Sequence, residues 1–410
     1  MAALHLQLTS LKTPRLGYFL ESHGSSIDDS DQPFAVWVPP SYSPRRKYPL
    51  MVALHGMDAD HRMIPEECFQ IPKRGFRDDV ILLCPYGRGD IDYQGPGEAD
   101  LWDTINWIKA RYSIDSRRQY LTGLSMGGFA TWRLAATYPD QWAAIAPICG
   151  GGDPNIVANL KKIPVWCVHG EKDELVPVEH SRQLVNELAR RKSPHRYDEL
   201  KGWGHNSWQW LYRPHRDGDS LVDWFLQFRR AKSAPPVTRP ARRGTFSDLF
   251  QERLIISYPA QTAIPREADL LRSSAERIAR FSFEDFQMRT GRFLTKTDSE
   301  LTQADLSGSN HLMLGRVENH RWMKKTERKL SARHVRGQLN LAGETYLGKS
   351  LAAAAVQKSP WNPDHLLGVI TYQQFQQLRG LESAFCSVES QLQRLNLYDT
   401  QQKRFIRQEL

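Results

Sequence analysis

Apolar and polar positions fall into short alternating blocks over the first 230 residues. Residues 48–54 (Tyr-Pro-Leu-Met-Val-Ala-Leu) form an unbroken apolar run, which predicts a strand buried on both faces. Residues 80–85, 143–149 and 165–170 repeat the pattern. Residues 16–21 and 34–38 are aromatic and β-branched runs that predict a leading antiparallel pair, and Pro39-Pro40 ends the second. Residues 119–122 and 196–200 complete a set of eight strands. Between them the spacing turns helical. Leu101, Ile105 and Ile108 share one face of a predicted helix over 100–112, and further helices are predicted over 129–138, 181–191 and 221–228. Strands and helices in alternation predict an α/β architecture, a mostly parallel eight-stranded sheet with helices on both faces.

The pattern changes after residue 230. Residues 231–244 hold three prolines and four basic side chains with few apolar positions, and read as a linker. Beyond it, strands are predicted over 253–258, 311–314 and 366–371, and an amphipathic helix over 266–280. The glutamine-rich stretch 372–397 has helical spacing. The expected organisation is a larger α/β domain over 1–230, a linker over 231–244, and a smaller α/β domain over 245–410.

Composition narrows the picture. The 410 residues are about right for two domains. No run approaches the ~20 apolar residues of a membrane-spanning helix. Residues 1–12 lack a charged start followed by an apolar core, so no secretory signal is visible. The five cysteines show neither paired nor metal-site spacing, and a reducing cytoplasm is the expected compartment. Without a ligand cluster or a Gly-rich phosphate loop, no metal or cofactor is expected. The net charge of +9 is unevenly spread. Residues 1–235 carry 29 Lys and Arg against 28 Asp and Glu, and residues 236–410 carry 26 against 18. Eight basic residues fall between Arg316 and Arg336 against Glu318 and Glu327. A solvated face is the simpler reading, an anion-binding surface the alternative. Nucleic acid is not an expected partner.

The candidate chemistry centres on Gly123-Leu124-Ser125-Met126-Gly127, between a strand and a helix. That context suits a tight turn presenting a nucleophilic serine, with small residues where side chains would collide. The N–H of Met126, at the helix start, is a candidate oxyanion donor. Met57, in the loop after the 48–54 strand, is the candidate second donor, and Gly56 lets the backbone approach a substrate carbonyl. A serine needs a base, and the base needs a carboxylate. Asp173 follows one strand and His205 the next, in the order serine, acid, histidine. Asp153 lies one strand too early, and Glu171 and Glu174 suit only a different turn. His195 stands at the wrong end of its strand, His215 comes too late, and His169 is read as shaping the acid turn. Trp203 and Trp208 flank His205 as candidate substrate contacts. Together with Trp210, core packing is the simpler role for at least two of the three.

These residues, with Leu54-His55-Gly56, residues 145–152, His169-Gly170-Glu171-Lys172-Asp173 and Gly202-Trp203-Gly204-His205, resemble the α/β-hydrolase superfamily. Within it they are similar to prolyl-oligopeptidase-like and feruloyl-esterase-like bacterial carboxylesterases, over roughly residues 15–230. The resemblance implies an α/β-hydrolase fold and a serine hydrolase acting on small-molecule esters, with Ser125, Asp173 and His205 as triad. A peptidase acting on short peptides is the first alternative, and a non-catalytic binding protein the second. The chain lacks a β-propeller filter, which favours an esterase. The task of residues 245–410 and the oligomeric state are not legible in the sequence.

Overall fold

A computed structural model describes residues 14–160, 162–213, 220–233, 235, 246–250, 252–284, 293–335, 337–347, 350–377, 395–399, 401–402 and 404–409. The chain divides into two compact units, Met1–His23 with Pro33–Asp92 and Leu101–Thr238, and Gly24–Gln32 with Tyr93–Asp100 and Arg239–Leu410. Most of the expected linker lies outside the described residues.

The first sheet has eight strands: β1 (Gly17–Gly24), β2 (Asp31–Val38), β3 (Tyr48–Leu54), β4 (Ile81–Pro85), β5 (Ile114–Leu124), β6 (Ala144–Ile148), β7 (Val165–Gly170) and β8 (His195–Leu200). Their spatial order is β1-β2-β4-β3-β5-β6-β7-β8. β2 runs antiparallel to β4, and β4, β3, β5, β6, β7 and β8 pair in parallel. Every residue of β3, β4, β6 and β7 is buried, as continuous apolar runs require when both faces are covered. The Glu179–Arg190 helix buries Ser181, Leu184, Val185 and Leu188, one stripe at helical spacing.

The register brings loops together. Leu54 at the end of β3 lies opposite Gly123 of β5, and Leu124 lies opposite Ile148 of β6. Gly170 of β7 lies opposite Leu200 of β8. The loops after β3, β5, β6, β7 and β8 therefore leave the sheet at one rim, where sites gather in open α/β sheets.

The second unit has its own core, built around Met313, Val369, Ala353, Leu339 and Leu397. Its larger sheet contains β9 (Leu254–Tyr258), β10 (Leu294–Thr297), β11 (Asn310–Leu314), β15 (Leu351–Lys358), β16 (Leu366–Tyr372), β17 (Leu395–Asp399) and β18 (Arg404–Glu409), in the order β10-β9-β11-β16-β15-β17-β18. The first four of that order are parallel, and the last three add antiparallel pairs. β12 (Ala332–Val335), β13 (Gln338–Leu341) and β14 (Glu344–Tyr346) make a separate antiparallel sheet.

One expectation needs correction. The helix predicted over 372–397 fails at both ends, since Tyr372 closes β16 and Leu395–Leu397 belong to β17; residues 378–394 lie outside the described ones. Spacing was a poor guide because β17 is an interior strand, buried on both faces, with no period-2 alternation to show. β15 escaped notice for a related reason. Its Leu-Ala-Ala-Ala-Ala-Val core lacks the residues that favour strands, and two neighbouring strands hold it in place.

The basic stretch of this unit is partly spent internally. Arg316 donates to both carboxylate oxygens of the fully buried Glu267, at 2.9 and 3.0 Å. Lys325 sits 4.4 Å from the Trp322 ring centroid. Arg321, Lys324, Arg328 and Lys329 face solvent.

Candidate active site

Ser125 sits between the end of β5 and the start of the Met126–Thr137 helix, at φ 53° and ψ −119°. A non-glycine residue there costs about 1–3 kcal/mol, so the surroundings must impose it. Its N–H points to the Ile148 carbonyl oxygen at 3.0 Å and the Cys149 sulfur at 3.3 Å. Its carbonyl accepts the N–H groups of Gly128 and Phe129. The flanking glycines are steric requirements. A Cβ on Gly123 would stand 2.3 Å from the Gly127 carbonyl oxygen, and one on Gly127 would stand 2.3 Å from that of Leu54. Neither can exist without moving backbone.

The structure brings the three predicted polar residues together. His205 Nε2 lies 3.0 Å from Ser125 Oγ, and His205 Nδ1 lies 2.7 Å from Asp173 Oδ2. Asp173 is buried, and its Oδ1 accepts the N–H groups of Leu175 at 3.0 Å and Val176 at 2.9 Å. The carboxylate thus has protein donors in place of water. The acid and histidine loops interlock. Lys172 donates its N–H to the Trp203 carbonyl, and a Cβ on Gly170 would strike the Gly204 carbonyl oxygen at 2.2 Å.

The loop after β3 runs beside the serine. A Cβ on Gly56 would lie 3.4 Å from Ser125 Cβ and 2.9 Å from Leu124 Cδ1. This sets the Gly56 backbone beside Ser125. The His55 ring fastens the loop from beneath, with Nδ1 2.7 Å from the Gly56 carbonyl oxygen and Nε2 2.9 Å from that of Tyr86. Burial pushes the His55 pKa down. Asp90 accepts the Asp58 N–H at 2.9 Å on the far side of Met57.

Of the indoles, Trp208 stands edge-on to His205 with centroids 5.5 Å apart and packs against the core of this unit. Trp210 packs edge-on to Trp166. Trp203 is 37% exposed beside His205, and the Met57 side chain is exposed as well.

Sequence reasoning missed three contributors. The buried Cys149 turns its sulfur to the Ser125 N–H, and burial pushes its pKa up and keeps it protonated. His55 and Asp90 brace the Met57 loop. These roles depend on the β5–β6 and β3–β4 registers, which no local motif records. His169, at the end of β7, reaches its ring to the acid turn, as its position suggested. Cys149, Asp173 and His205 also form a cluster of potential metal ligands among the described residues. They fit a cation poorly, because the thiol is held neutral and both carboxylate oxygens already accept hydrogen bonds.

The Esterase family model matches residues 25–216, a span that contains Ser125, Asp173 and His205. This part of the chain is similar to the esterase family of α/β-hydrolases. It is 31% identical over 147 residues to a bifunctional acetylxylan esterase/xylanase of Neocallimastix patriciarum, covering 34% of this chain and 21% of that protein. It is 52% identical over 64 residues to a poly(3-hydroxyalkanoate) depolymerase C of Paucimonas lemoignei, covering 15% of each. Among solved structures, a thermostable esterase aligns with 29% identity and a TM-score of 0.46, over 52% of this chain and 64% of that one. The chain thus spans 21% and 15% of the length of these two curated relatives. Among the described residues, no helix is long and apolar enough to cross a membrane.

Proposed function

We propose that this chain is a serine carboxylesterase acting on small-molecule esters. The observation that carries the reading is the continuous pair of contacts from Ser125 through His205 to Asp173, at 3.0 and 2.7 Å. Ser125 Oγ attacks the ester carbonyl carbon as His205 Nε2 takes its proton. The negative charge formed on the carbonyl oxygen is met by the N–H groups of Met126 and Met57, each such donor being worth about 3 kcal/mol. Collapse expels the alcohol, which takes the proton from His205. Water then attacks the acyl-enzyme, gives its proton to His205, and the acid leaves as Ser125 regains its hydrogen. Asp173 holds His205 with Nε2 toward the serine and stabilises the imidazolium. Trp203, exposed beside His205, is the reading's contact for an aromatic or sugar-linked part of the substrate. Acetyl and feruloyl or aryl esters are the candidate classes, in keeping with the acetylxylan esterase named among the relatives. In this reading residues 1–230 are the catalytic domain, 231–244 a linker and 245–410 an accessory domain, in a reducing compartment. S125A should abolish p-nitrophenyl acetate turnover and fluorophosphonate labelling; turnover at the wild-type rate in that variant refutes the assignment.

A further inference from the structure

His169, in β7, lies outside the three-residue relay, yet its ring reaches the same carboxylate. Its side chain is fully buried, with Nε2 3.2 Å from Asp173 Oδ2 and 2.9 Å from the Val176 carbonyl oxygen. Nδ1 lies 2.7 Å from Ser181 Oγ. A carboxylate and a carbonyl only accept hydrogen bonds. Nε2 therefore carries a hydrogen whether the ring is neutral or charged. Burial pushes the ring's pKa down, which favours the neutral form, with Nδ1 accepting from the Ser181 hydroxyl.

Oδ2 of Asp173 thus lies 2.7 Å from Nδ1 of His205 and 3.2 Å from Nε2 of His169, whose other neighbour is the Val176 carbonyl oxygen at 2.9 Å. The loop amides of Leu175 and Val176 pin only Oδ1. They leave the carboxylate free to swing Oδ2 away from His205 unless something holds that oxygen. We propose that His169 is a positioning residue for the ester hydrolysis, donating Nε2–H to Asp173 Oδ2 and so fixing the carboxylate's rotation and its pull on His205. The proposal rests on the triad reading above.

The other titratable groups nearby are Cys149, held protonated by burial, Glu199, paired with Arg182, and Glu171, Lys172 and Glu174 on the exposed face of the acid loop. The substitutions below change none of them.

The test compares H169Q, H169N and H169L in the full chain with p-nitrophenyl acetate. Glutamine reaches far enough to put an N–H where Nε2 stood; asparagine is too short, and leucine has no donor. H169N and H169L should lose roughly 10–100-fold in kcat at unchanged KM, the range of a hydrogen bond to a charged group. H169Q should recover most of the rate. A packing role alone would treat glutamine and asparagine alike. Equal rates in H169N and H169Q overturn the proposal, and this comparison stands even if H169L fails to fold. An active S125A would sink the triad reading itself, whereas an inactive S125A with a wild-type-like H169N would sink only this inference.

Discussion

Each unit of this chain buries a carboxylate among polar partners, and the partners differ in kind. Asp173 accepts two backbone N–H groups and the His205 imidazole, with Nε2 of His169 3.2 Å away. Glu267 accepts two contacts from Arg316, one from Asn319 and one from Tyr372. Burial and satisfaction are therefore not what marks a catalytic acid. The difference lies in the partner. A guanidinium stays charged at any physiological pH and ends the network. An imidazole can exchange its proton, and His205 turns its second nitrogen toward a serine on a strained turn. One arrangement locks a fold, and the other leaves an outlet for a proton.

The largest expected effect breaks the first arrangement. D173N keeps the shape but offers an amide N–H to His205 Nδ1 and so favours the wrong tautomer. It should lower kcat by about 10^4-fold with little change in thermal stability. A loss below about tenfold in steady-state kinetics would remove Asp173 from the relay. The second breaks the structural carboxylate. E267Q leaves the Arg316 charge without its counter-ion at a largely buried position. It should destabilise the second unit by about 3–5 kcal/mol in urea unfolding, with esterase kcat per folded molecule unchanged. An unchanged unfolding midpoint would show that Glu267 is dispensable. The smallest sharpens the contrast through pH. Burial lowers the His311 pKa to about 4, and Nδ1 has no hydrogen-bond partner. The unfolded chain takes up this proton below about pH 6.5 and the folded chain only near pH 4. Stability from the neutral ring is thus complete above about pH 6.5 and is lost as pH falls from there toward 4, about 3 kcal/mol in all. Denaturation midpoints across that window should fall less steeply in H311Q than in the wild type; equal slopes would assign the acid sensitivity elsewhere.

Legibility in the sequence differed between the units for a physical reason. In the first, apolar runs of five to seven residues bounded by Gly and Pro marked β3, β4, β6 and β7, because parallel strands covered on both faces need such runs. Gly123 and Gly127 were readable because a strained turn packed against two other backbones tolerates nothing larger. Asp173 and His205 were readable because each follows a strand at the rim where loops gather. In the second, β15 is an alanine run and β17 carries polar letters at buried positions, Asn396 among them. Such strands are held by their neighbours rather than by their own propensities.

The local pattern by itself determined where the strands of the first unit run, which serine stands on a turn, and which acid and histidine follow it. Only the tertiary structure decided that His169 shares an oxygen with His205, that Cys149 faces the serine N–H, and that Arg316 turns inward to Glu267. The first kind of fact is set by steric and burial demands within a few residues of chain. The second depends on strand register and helix packing, which place groups tens of residues apart within 3.5 Å and leave no trace in either neighbourhood.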